Sequence, residues 1–240
     1  LMPVPGVYAF DSRMGSFVPA IEPVTFDHPR WNGVSCGRTF AKLLRDLDPG
    51  TPVGLIPAAV GATPLSSWKP GAKAVYTDHH PYDDCIALAE RARKYGEITA
   101  ILWHQGETDC PEHLYPLYLE KCRKILTTMR EDLGLPEVPL LLGGLGSFLQ
   151  DCNTYLKSAL KNYHFINTQL VQLAEELDAA AFVTAEGLTA NPDNLHFNAK
   201  SLREFGLRYY QEYRKLEPQY KAICPRAPVY QEIRGELESL

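Results

Sequence analysis

At 240 residues the chain is long enough for one large domain, and nothing in it demands two. Its 45% hydrophobic and 22% charged residues are ordinary for a soluble globular protein. The net charge is −5, with lysines and arginines spread along the chain, which argues against nucleic acid or a membrane surface as the main partner. No apolar run reaches the length of a spanning helix, and no signal peptide is recognisable.

The six cysteines (Cys36, Cys85, Cys110, Cys122, Cys152, Cys224) form no CxxC pairs. They read as reduced, mostly buried thiols, which points to a cytoplasmic protein. Cysteines and histidines do not come at ligand spacings, so neither zinc nor any other metal or cofactor is expected. His79-His80 with Asp83-Asp84 is the one local cluster that could attract a metal, and a solvated loop entering a helix is the plainer reading.

In chain order, the first apolar run is Val7-Tyr8-Ala9-Phe10, read as a strand. A helix is expected over 38–47, carrying Phe40, Leu43, Leu44 and Leu47 on one face. Next come a strand over 53–60, a helix over 82–95 and a strand over 100–103. A helix over 115–133 stops at Gly134, with Pro136 beyond. Strand 139–143, helix 154–177, strand 180–183 and helix 199–216 complete the series. The last four strand candidates are nearly continuous in hydrophobicity, as parallel strands covered on both faces should be. Alternating strands and helices imply a three-layer α/β/α sandwich with a mostly parallel sheet, treated as a single domain over 1–240. The segment 224–240 reads as a terminal arm, which could serve a homo-oligomer.

In such sheets ligands bind outside the carboxyl ends of the strands. Gly61, Gln105, Gly144 and the Asp193 loop would all emerge there. Asp193 lies three residues before His196, a spacing that lets the carboxylate take one ring N–H and leave the other nitrogen as a general base. A half-buried histidine at a helix entry is the plainer reading of that spacing. After Ile101-Leu102-Trp103 comes His104-Gln105-Gly106-Glu107, poor material for a core strand. Gln105 offers an uncharged amide donor for an oxyanion, and Glu107 either orients His196 or holds a substrate hydroxyl. Gly61 lets a backbone N–H approach an oxygen closely, and a tight turn would explain it equally. Trp68 is either pocket lining or packing.

Four segments occur in an order that resembles a known family. They are Ala59-Val60-Gly61-Ala62-Thr63 with Trp68, then Trp103-His104-Gln105-Gly106-Glu107-Thr108-Asp109, Gly143-Gly144-Leu145-Gly146, and Asp193-x-x-His196-Phe197. The family is the SGNH-type carbohydrate esterases, particularly the sialate O-acetylesterase-like and acetylxylan esterase group. The resemblance covers about residues 7 to 213. It implies a flavodoxin-like α/β/α fold and removal of acetyl groups from small acetylated carbohydrates by a serine mechanism without a metal. It makes His196 the general base, Asp193 its orienting acid with Glu107 as competitor, and Gly61 and Gln105 the oxyanion-hole positions.

One element departs from that pattern. The family's serine lies in a Gly-Gln-Ser-Asn segment after the first strand, and this sequence contains no such segment. The serine is therefore expected upstream of residue 1. The alternatives are a catalytically inactive relative that binds sugars or acts as a scaffold, and a substitute nucleophile at Ser35 or Cys36, where a helix N-terminus would lower a thiol pKa.

Overall fold

A computed structural model describes residues 2–24, 33–152 and 157–223, without the side chains of 157 and 218–223. Its order is β1 (Val7–Asp11), β2 (Ser16–Pro19), α1 (Cys36–Leu47), β3 (Val53–Leu55), α2 (Pro81–Ala92), β4 (Ile101–Trp103), α3 (Tyr118–Asp132), β5 (Leu140–Gly143), α4 (Lys157–Leu160), α5 (Tyr163–Glu176), β6 (Ala180–Val183) and α6 (Ala199–Ile223). The expected alternation of strand and helix is present, and it has the expected layers. The strands form two half-sheets, ordered β2-β1-β3 and β4-β5-β6. All pairs are parallel except β1 with β2.

The period of the strands decides what each face buries. Leu141 and Val183 point to the side of α1 and α6, where they meet Phe40, Phe205 and Tyr209. Leu140 and Leu142 point the other way, to Ile125, Leu126 and Met129 of α3 and Ile166, Leu170 and Leu173 of α5. In the first half-sheet Val7 and Ala9 pack on Ala41 of α1, while Tyr8 and Phe10 pack on Ala92 of α2. Two helix layers thus sandwich both half-sheets. α1 and α6 approach closely enough that a Cβ on Gly206 would lie 2.4 Å from the Cys36 carbonyl oxygen.

Several boundaries differ from the sequence reading. β2 was not expected. It forms because Asp11 accepts the N–H groups of Arg13 and Met14, and Gly15 takes a positive φ, turning the chain back so that Phe17 meets Phe10 edge-on at 5.2 Å. β3 ends at Leu55 rather than 60, since Pro57 brings no N–H to a ladder. The helix expected over 154–177 is two: a turn at Asn162, whose side chain donates to the Cys110 carbonyl, separates α4 from α5. α6 runs on to Ile223, past residue 216. Among the described residues Cys36, Cys85, Cys110, Cys122 and Cys152 are in no disulfide, while Cys224 and the 224–240 arm lie outside the described residues. Among the described residues no helix is long and apolar enough to cross a membrane.

Candidate active site

β3, β4, β5 and β6 lead into the loops that carry Gly61, Gln105, Gly144 and Asp193. The loop after β3 carries Gly61, followed by a 3-10 turn at Leu65–Trp68. Gln105, just beyond β4, ties this loop down. Its Nε2 donates to the Thr63 carbonyl (3.1 Å) and to Asp109 Oδ2 (2.7 Å), and Asp109 Oδ2 also accepts the Leu65 N–H (2.9 Å). Burial is the main influence on the Asp109 carboxyl and raises its pKa despite those donors. Both amide protons of Gln105 are thus engaged, whereas its buried Oε1 has no partner among the described residues. The Gly61 position is open around its Cα and solvent-exposed. Trp68 is packing: it is buried edge-on against Trp103 at 5.0 Å, with its indole N–H on Thr63 Oγ1.

His196 sits on a short turn that its neighbours shape. Asp193 Oδ1 accepts the N–H groups of Leu195 (3.0 Å) and His196 (3.1 Å), while Asn194 takes a positive φ of 49°. The turn is anchored by Asn191 N–H on the His196 carbonyl, by Asn194 Nδ2 on the Asp151 carbonyl and by an isolated bridge between Ala190 and Phe197. Asn198 Oδ1 then accepts the Ser201 N–H and starts α6. Asp193 Oδ2 is left facing His196 Nδ1 at 2.7 Å. Burial opposes ionisation of Asp193, but the His196 ring and the two N–H groups win and hold its carboxyl at about 2. The carboxylate therefore accepts from Nδ1–H, and Nε2 of a side chain 71% exposed has no hydrogen-bond partner among the described residues. That is the tautomer a general base requires.

Glu107 does not bond to His196. Its Oε1 lies 3.4 Å from His104 Nε2, and His104 Nδ1 donates to the Gly143 carbonyl at 3.3 Å. Burial works against charge on both partners, yet their mutual attraction lowers the Glu107 pKa and raises that of His104. The His196 charge adds to the lowering of Glu107, so the two pairs are neighbours. The ring of Phe197 touches that of His104 edge-on at 5.6 Å, linking the loops mechanically. His104 is the residue that sequence reasoning left without a role, although it lies inside the segment that reading singled out.

Ser35 is a helix cap, accepting the Gly37 N–H at 3.1 Å. The expected lowering at Cys36 is overturned: burial pushes its thiol up to about 11, against the N–H groups of Gly37 and Cys36 itself. His79 Nδ1 lies 3.4 Å from Asp84 Oδ2 at the start of α2. Among the described residues no group of three or more His, Cys, Asp or Glu is arranged to hold a metal ion.

Comparison with known proteins agrees with this architecture. A family model described as carbohydrate esterase, sialic acid-specific acetylesterase, matches residues 2–215. The probable carbohydrate esterase At4g34215 of Arabidopsis thaliana is 29% identical over 194 residues, spanning 79% of this chain and 67% of that protein. The solved structure of the A. thaliana protein AT4G34215 superposes with a TM-score of 0.73 at 24% identity, over 89% of this chain and 82% of its own. XAC1771 of Xanthomonas citri, described as a novel carbohydrate acetylesterase, gives 0.61 at 18% identity, over 89% of this chain and 49% of its own. At these identities the solved structures establish the fold, and the family match establishes the class of chemistry as ester hydrolysis. The chain belongs to the carbohydrate esterase, sialic acid-specific acetylesterase, family.

Proposed function

We propose that this protein removes acetyl groups from small acetylated carbohydrates, with His196 as general base, Asp193 as its orienting acid and a serine supplied from upstream of Leu1. The observation that carries the reading is the 2.7 Å contact of Asp193 with Nδ1, which leaves Nε2 of an exposed imidazole free. His196 takes the proton from the serine Oγ as that oxygen bonds to the acetyl carbon. The carbonyl electrons move onto the oxygen, which the Gly61 N–H and the serine's own N–H receive. The tetrahedral adduct collapses by breaking the bond to the sugar oxygen, which leaves with the proton from His196. Water then repeats the sequence on the acyl-enzyme and releases acetate.

Gln105 enters as the residue that aims the Gly61 loop, because its amide protons are held by Thr63 and Asp109. An oxyanion contact from its side chain needs one of those bonds to open. Glu107 acts through His104 and through its charge, favouring the imidazolium that forms at His196.

The test is acetate release from acetylated mono- and oligosaccharides by the full-length gene product and its His196→Ala variant. Turnover that collapses in the variant is the expected result. Saturable sugar binding without turnover in either protein would overturn the proposal and favour an inactive binding relative.

A further inference from the structure

A cavity of about 280 Å³ lies at the carboxyl ends of β1 and β3, on the side of α2. Neither the Asp193–His196 turn nor the His104–Glu107 pair lines it. One wall is α2 itself. Asp84, Ala87, Leu88 and Arg91 recur at intervals of three and four, so they share one face of that helix. Asp84 and Arg91 stand about 10 Å apart along the axis, at 1.5 Å per residue. The opposite wall is the backbone of residues 57–60, which runs directly into Gly61.

The polar groups occupy the two ends of this helix face. At one end Asp84 Oδ2 accepts the His80 N–H (2.9 Å) and lies 3.4 Å from His79 Nδ1, which leaves Oδ1 with no hydrogen bond among the described residues. At the other end Arg91 Nη2 donates to the Ser12 carbonyl (2.8 Å), and the guanidinium carbon stands 5.5 Å from the centre of the Phe10 ring. Arg91 Nε and Nη1 have no hydrogen bond among the described residues. The two charges do not meet, because two helical turns separate them and Ser12 and Phe10 hold Arg91 at its own end. Between them lie Ala87 and Leu88. An acceptor, a planar donor and an apolar surface between the two are the materials of a small-molecule site.

Charge decides the class of ligand. The lining carries one carboxylate and one guanidinium, so an uncharged ligand meets no net repulsion. An anion held by Arg91 lies along a face that ends in Asp84, and a cation held by Asp84 faces Arg91. Like charges brought together in this way cost affinity. A neutral ring with hydroxyls at its edge and C–H groups on its face fits all three parts. One hydroxyl donates to Asp84 Oδ1, another accepts from Arg91, and the C–H face covers Ala87 and Leu88.

We infer that this cavity is a subsite for an uncharged sugar ring, with Asp84 and Arg91 as its hydrogen-bonding ends. Its wall is continuous with the proposed chemistry. The Val60 carbonyl accepts from Thr63 Oγ1 (2.7 Å), and Gln105 holds the Thr63 carbonyl (3.1 Å). A bound ring therefore rests on the same loop that presents the Gly61 N–H. That this ring belongs to the acetyl ester rests on the proposed function, whereas the binding itself rests on the cavity.

Titration of the full-length gene product with methyl glycosides of xylose, glucose and galactose, followed by backbone amide shifts in NMR spectra, tests the subsite without reference to activity. The methyl glycosides of glucuronic and galacturonic acid are the charged counterparts. At least one neutral glycoside should shift the Ala58, Ala59 and Asp84 amides saturably and bind at least about tenfold more tightly than its acidic counterpart. Asp84→Asn keeps an acceptor for the His80 N–H and should weaken binding about tenfold. Ala87→Trp fills the cavity from an exposed position, removes no side-chain hydrogen bond and should abolish binding. Neutral glycosides that leave these amides unmoved, an acidic glycoside that binds as tightly as its neutral counterpart, or parental affinity in either variant overturns the inference. Saturable shifts at the cavity without any hydrolysis of acetylated sugars would overturn the proposed function and leave the subsite standing. Hydrolysis without shifts at the cavity would do the reverse.

Discussion

His196 and His104 each meet a carboxylate three residues away, Asp193 before the one and Glu107 after the other, yet they commit different ring nitrogens. At His196 only Nδ1 is engaged among the described residues, and the side chain is 71% exposed. At His104 both nitrogens are taken, by Gly143 and Glu107, and Phe197 and Phe205 press edge-on against the ring. A neighbouring carboxylate alone therefore does not leave an imidazole ready to act as the proposed general base. The occupancy of the second nitrogen decides, and backbone geometry sets it: an Asp-led turn in one case, the close passage of β5 in the other. Gly143 is glycine for that reason, since a Cβ there would collide with the Tyr209 hydroxyl that donates to Trp103 O.

The comparison breaks first at His196. Replacing it with alanine should lower kcat/KM for acetyl ester hydrolysis by about 10⁶-fold while leaving thermal unfolding within a few degrees of the parent. Next is Gln105→Ala, which frees Thr63 and Asp109 together. A loss of about 10²-fold in kcat is expected, read by single-turnover kinetics, because a loop donor displaced by an ångström no longer meets the oxyanion.

The His104–Glu107 pair should appear in stability more than in chemistry. The Glu107 pKa is lowered in the folded protein, so its share of stability is full above the ordinary carboxylate value and lost as pH falls through the folded one. The His104 pKa is raised, so its share is full below the ordinary imidazole value and lost as pH rises through the folded one. Glu107→Gln should therefore cost about 1–3 kcal/mol in urea unfolding near pH 5–6. The difference should shrink on both sides of that window. A pH-independent difference would mean that shape alone, and not charge, holds the pair. The Asp193 carboxyl, held at about 2, stays ionised across this whole range, so acidification to pH 5 should leave its contact with His196 intact in NMR spectra of the ring.

Much of this was legible in the sequence. The parallel strands announced themselves because both faces are covered, as with Leu140-Leu141-Leu142, and the Asp193–His196 contact is local, so spacing alone predicts it. What was hidden depends on distant residues. β2 needs the Asp11 turn to bring Phe17 onto Phe10, and no apolar run marks it. Glu107 looked like a partner for His196 because the chain distance between β4 and the Asp193 loop conceals that His104 lies nearer. Cys36 looked activated by its helix end, but the burial that reverses the effect comes from neighbours far along the chain.

The most direct measurement is p-nitrophenyl acetate hydrolysis by the full-length protein and its Asp193→Asn and Glu107→Gln variants, side by side. Asp193→Asn should lose about 10⁴-fold in kcat/KM, because the ring would hold the wrong tautomer. Glu107→Gln, acting through His104 and through its own charge, should lose about tenfold, or about 1.4 kcal/mol of transition-state stabilisation. A larger loss at Glu107 than at Asp193 would contradict the assignment of Asp193 as the residue that makes His196 a base.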